Sequence, residues 1–107
     1  MQQIAAASLR AWLADGTRKP PQLVDVREPW EFQISRIAGS LHIPMGQIPA
    51  RADELDAQSD VVVVCHHGAR SAQVAMYLEK QGFARVHNLV GGVDAWARSV
   101  DPAMPVY

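Results

Sequence analysis

Cys65 is the only cysteine among 107 residues, and it stands where Val61, Val62, Val63 and Val64 run into Cys65-His66-His67-Gly68-Ala69-Arg70-Ser71. Four consecutive β-branched residues predict a strand buried on both faces, and the pattern after Ser71 predicts a helix. A sulfur at such a turn meets the unpaired N–H groups and the positive dipole end of the helix, which favour a thiolate over a thiol. Gly68 permits the positive φ of a tight loop, whose successive amides can converge into a nest for an anionic sulfur or a persulfide. Arg70 adds a permanent cation, and Ser71 adds either a hydroxyl at the site or a helix cap. A lone cysteine that ends a core strand reads first as a small buried hydrophobe. The glycine three residues on, the arginine five residues on and the helix start together point instead to a reactive nucleophile in an open loop.

His66 and His67 invite a metal reading, but with Cys65 they are three adjacent residues that cannot readily surround a tetrahedral ion, and no second cysteine exists. No metal and no cofactor is expected. A loop whose amides point inward turns its side chains outward, which puts both imidazoles on the rim. His42 and His87 lie in or beside strands and are expected to be hydrogen-bonded structural residues. Asp25 and Arg27, at the end of a neighbouring strand, are expected to pair and brace the site. Arg36 is read as a solvated surface arginine that can lend a cation near the mouth.

The elements that must position this loop follow from local patterns. Gln2 to Ala5 predicts a short edge strand, and Ser8 is expected to cap a helix with Leu9, Trp12 and Leu13 on one side, stopped at Asp15-Gly16. Leu23 to Val26 predicts a strand, Pro29 opens a helix with Trp30, Glu31 and Phe32, and Leu41-His42-Ile43 predicts a third strand. Ile48-Pro49 opens a polar helix extending to about Leu55. After the valine strand, a helix carries Val74, Ala75, Tyr77 and Leu78 inward and stops at Gly82. Val86 to Leu89 predicts the last strand, Gly91-Gly92 a turn, and Val93 to Trp96 a short helix. Trp12, Trp30 and Trp96 are assigned to core packing, and the tail from Asp101 to Tyr107 carries no functional signal. The alternation predicts an α/β fold with a mostly parallel central sheet and helices on both faces, the ligand site lying at the carboxyl ends of the strands.

Composition sets the class. With 49% hydrophobic and 20% charged residues the chain suits a single domain over residues 1–107. A net charge of -1 offers no footprint for nucleic acid, and no segment approaches membrane-spanning length. One thiol excludes an internal disulfide and fits a reducing cytoplasm, the expected location.

The loop Cys65 to Ser71 resembles the active-site loop of the rhodanese (sulfurtransferase) family, especially its small single-domain members. Leu23-Val24-Asp25-Val26-Arg27-Glu28-Pro29-Trp30-Glu31-Phe32 is similar to that family's upstream motif, and Gly91-Gly92-Val93-Asp94-Ala95-Trp96 to its downstream one. The resemblance spans nearly the whole chain, departing at Ser35-Arg36-Ile37-Ala38-Gly39-Ser40, where the family more often has a Gly-His-Ile-Pro-Gly-Ala type of segment. It implies an enzyme in which Cys65 takes a sulfane sulfur from a small anionic donor such as thiosulfate. The persulfide so formed would pass its outer sulfur to cyanide, a thiol or a protein acceptor. The amides of His66, His67, Gly68, Ala69, Arg70 and Ser71 would hold the persulfide, and Arg70 would attract the donor.

Two rivals stand beside this expectation. A cysteine-dependent phosphatase or arsenate reductase also cradles an anion between cysteine and arginine, but its signature has five intervening residues where this loop has four. A sulfur-carrier or regulatory module would keep the fold without turnover; the presence of both Cys65 and Arg70 weighs against it.

Overall fold

The computed structural model describes residues Met1–Tyr107. Its strands are β1 (Gln2–Ile4), β2 (Gln22–Asp25), β3 (Leu41–His42), β4 (Val61–Val64) and β5 (Val86–Leu89). They form one sheet in the order β1-β5-β4-β2-β3, with every neighbouring pair parallel. Parallel neighbours need crossover connections, so helices cover the faces: α1 (Ala6–Ala14), α2 (Pro29–Ile34), α3 (Ile48–Arg51), α4 (Ala69–Lys80) and α5 (Gly92–Ser99).

β4 occupies the middle of the sheet, and all four of its valines are fully buried. Side chains alternate across a strand. Val61 and Val63 therefore pack with Ile48, Val74 and Leu78 under α3 and α4, while Val62 and Val64 pack with Leu9, Trp12, Val93 and Trp96 under α1 and α5. The two cores clamp β4 and fix the point at which Cys65 leaves it. No helix is long and apolar enough to cross a membrane.

Several local expectations are corrected. α1 starts at Ala6 behind Ala5, not at a Ser8 cap, and Leu13 is left partly exposed, because nine residues offer a single narrow stripe that Leu9 and Trp12 already fill. The expected helix from Ile48 to Leu55 splits into α3 and a tighter turn over Ala52–Glu54. Trp30 is 60% exposed and not part of the core; the one-and-a-half turns of α2 direct Glu31 inward instead. Trp12 and Trp96 are buried, and the Trp12 indole N–H donates to the Lys19 carbonyl at 3.0 Å. His42 pairs with the Arg27 carbonyl and His87 with Asp60, so both are hydrogen-bonded within the scaffold.

Candidate active site

The chain leaves β4 at Cys65, and α4 begins at Ala69, two residues earlier than expected. Gly68 caps it in the left-handed region at φ 108°, as a loop this tight requires. The carbonyls of Cys65 and His66 accept from the first amides of α5, Val93 N–H at 2.9 Å and Asp94 N–H at 3.1 Å. A planar trans peptide points its N–H opposite its C=O, so these two bonds turn the amides of His66 and His67 away from α5. Gly92 makes the contact sterically feasible: a Cβ there would stand 2.3 Å from the Cys65 oxygen.

Within the loop, Gly68 N–H donates to Cys65 Sγ at 3.0 Å, and Ser71 Oγ lies 3.2 Å from the sulfur. The amides of His66, His67, Ala69, Arg70 and Ser71 donate to no protein acceptor. Ser71 sits inside α4 rather than capping it. Its hydroxyl donates to Asn88 Oδ1, and Asn88 in turn donates to Gly68 O and Gln3 Oε1. Asn88, on β5, thus fixes both the serine and the loop. Nothing in the sequence distinguished it from any other strand residue.

Cys65 is 1% exposed, which corrects the expectation of an open loop. The sulfur forms the floor of the turn, packed into the core beneath α4, and a reactant has to enter the loop to meet it.

Arg70 is engaged within the protein. Its guanidinium forms two bonds to Glu31, at 2.7 and 2.9 Å, a bidentate pair in which Glu31 is 3% exposed. The Arg70 contact holds the Glu31 carboxyl well below the usual range, at about 2, and Glu31 raises Arg70 correspondingly. The remaining Glu31 acceptor sites take the Glu28 amide and the Tyr107 hydroxyl. Glu31 is therefore a site residue that sequence reading placed merely on a helix. The visible signal was a reciprocal cap, Glu28 at the helix start with Glu31 three residues on.

Asp25 and Arg27 pair as expected, fully buried, through Nε and Nη2 of the arginine. Burial opposes charge on Arg27, but the Asp25 bonds overcome it and keep the group above its ordinary value. Arg27 also donates to the carbonyls of Glu31 and Ser35 and to the Tyr107 oxygen. The tail, read as silent, thus brings a side chain back to the loop. Tyr107 bridges Arg27 and Glu31, its ring stacks on His66, and burial pushes its hydroxyl up to about 12.

His67 is exposed on the rim, as expected, whereas His66 is drawn partly inward between His67 and Tyr107. Its Nε2 is buried without a hydrogen-bond partner, and burial, followed by the neighbouring His67, lowers its pKa. Arg36 is exposed and lies 4.6 Å over the Phe32 ring, with no hydrogen bond or ion pair to the loop.

A parallel α/β sandwich whose central strand ends in a cysteine under a short amide-rich turn defines a class of domains. Residues 5–99 match the family model of the Rhodanese-like domain, and the chain belongs to that family. It is 44% identical over 98 residues to a "Sulfurtransferase" of Allochromatium vinosum, covering 92% of this chain and 90% of that one. It is 38% identical to the "Thiosulfate sulfurtransferase GlpE" of Pseudomonas aeruginosa, covering 95% and 88% of the two chains. Among solved structures, the Rhodanese-like domain protein of Staphylococcus aureus superimposes with a TM-score of 0.85 at 33% identity, covering 100% of this chain and 99% of that one. These relatives support rhodanese-like sulfur transfer in general terms.

Proposed function

We propose that the protein moves a sulfane sulfur from a small donor, with thiosulfate as the standard assay donor, to a thiophilic acceptor through a persulfide on Cys65. The Cys65 thiolate attacks the outer sulfur of thiosulfate; the donor's S–S bond breaks, and sulfite leaves with the electron pair. Cyanide or a thiolate then attacks the outer sulfur of the persulfide and releases Cys65 as thiolate. Thiocyanate is the product with cyanide and a new persulfide with a thiol.

The observation that carries this reading is the set of loop amides. Gly68 N–H already serves Sγ, and five neighbouring amides are without acceptors, a density of donors that suits one extra sulfur bearing negative charge. A lone thiol handling reactive sulfur also fits a reducing compartment.

The test is intact-protein mass after exposure to thiosulfate. The expected result is a gain of one sulfur atom that cyanide removes, and no gain in Cys65→Ser. Turnover of phosphate esters without sulfur uptake would favour the phosphatase instead, and inertness to every donor would favour a non-catalytic module.

A further inference from the structure

Arg70 is the only cation in the Cys65–Ser71 loop apart from the histidines, and its charge is committed. Both guanidinium contacts go to Glu31, whose other lone pairs are taken by the Glu28 amide and Tyr107. Arg27, the next cation, is matched by Asp25. On the opposite side, Asp94 faces Arg98 at 3.0 Å. Each of these three arginines is thus matched by a carboxylate, leaving the loop amides as the unmatched attractive element beside the sulfur. Amide dipoles suffice for a single developing charge on sulfur, but they offset poorly the loss of hydration of a dianion.

We propose that Glu31 sets donor choice: by closing Arg70 into a neutral pair it disfavours the dianion thiosulfate, and the site takes an alkyl persulfide of low charge as its preferred donor. This inference rests on the sulfur-transfer reading of Cys65. In the step concerned, the Cys65 thiolate attacks the outer sulfur of R–S–SH; the donor S–S bond breaks, and the thiolate R–S⁻ leaves with the electron pair. The proton stays with the transferred sulfur. No dianion enters and none departs. Glu31 acts through Arg70 and is a positioning residue.

The experiment measures the second-order rate of sulfur loading onto Cys65 by quenched intact mass, with thiosulfate and with 2-hydroxyethyl persulfide as donors. Wild type is expected to load faster from the persulfide. It should also show little change in thiosulfate rate as salt rises, because the loop's own arginine is already paired with Glu31. In Glu31→Gln the freed Arg70 should raise the thiosulfate-to-persulfide rate ratio about tenfold, the scale of one unpaired charge at a partly exposed site, and make the thiosulfate rate fall with salt. Faster loading from thiosulfate in wild type, a steep salt dependence there, or an unchanged ratio in a folded Glu31→Gln would overturn the proposal. If that variant does not fold, the wild-type donor comparison and salt series decide it alone. Loading from thiosulfate in preference to the persulfide would defeat this inference and leave sulfur transfer standing. Loading from neither would defeat both.

Discussion

Tyr107 lies flat against His66, with ring centroids 3.8 Å apart and planes 6° from parallel, while its hydroxyl joins Arg27 at 2.8 Å to Glu31 at 2.9 Å. One residue of the tail therefore ties together the sulfur loop, the end of β2 and the start of α2. Tyr107→Phe keeps the ring and deletes the bridge. Hydrogen bonds to charged partners are worth more than neutral ones, so the expected loss is about 1–2 kcal/mol in urea unfolding. Tyr107→Ala also removes the stack and is expected to cost more, with a shift in the His66 ring resonances that Tyr107→Phe does not produce.

Glu31 makes the fold acid-sensitive. Its carboxyl is held at about 2 by Arg70 and returns to about 4.5 when the chain unfolds. As pH falls, the unfolded chain binds the proton first. The contribution of Glu31 is therefore complete above its unfolded value and is lost progressively as pH drops towards 2. With screening through the partly exposed face of Arg70, the loss is on the order of 2 kcal/mol. Urea unfolding across that window should show this slope in wild type and a shallower one in Glu31→Gln, which cannot take up the proton.

How much of this was legible in the sequence follows from how local each signal is. The valine strand, Cys65 and the helix after it are adjacent in the chain, and their order alone implies a nucleophile at the carboxyl end of a central strand. Asp25 and Arg27 lie two residues apart, so their pairing was equally readable. The Arg70–Glu31 pair joins residues 39 positions apart, and the Tyr107–Glu31 contact spans 76. A glutamate beside a tryptophan on a short helix shows no sign of which one will be buried. A proline-punctuated tail has no periodicity to show that its last residue returns to the site. Burial of Cys65 was hidden for a related reason, since it depends on α4 starting at Ala69 and drawing the loop tight.

Gly92 tests how closely the loop is moulded to α5. Its φ is 59°, and an added Cβ would meet the Cys65 oxygen at 2.3 Å and the His66 oxygen at 2.4 Å, both backbone atoms that cannot swing aside. Gly92→Ala should therefore push the loop off the α5 amides and cost about 2–4 kcal/mol, with loss of sulfur loading. Gly46 has open space around its Cβ position and no positive φ, so Gly46→Ala should leave stability within about 0.5 kcal/mol.

Asp25 and Arg27 pose a separate energetic question, because both are fully buried and each offsets the other's charge. Removing one partner strands the other: Arg27→Met leaves a carboxylate in the core and should cost about 3–5 kcal/mol. Replacing both with apolar residues removes that stranded charge, so Asp25→Leu combined with Arg27→Met should be more stable than Arg27→Met alone. The double variant will still fall short of wild type, because Arg27 also serves the Ser35 and Glu31 carbonyls and the Tyr107 oxygen. A double-mutant cycle by urea unfolding reads the coupling directly. If the double variant were less stable than Arg27→Met, the pair would be bracing the loop through geometry rather than charge, and sulfur loading would fall in step with the misplaced end of β2.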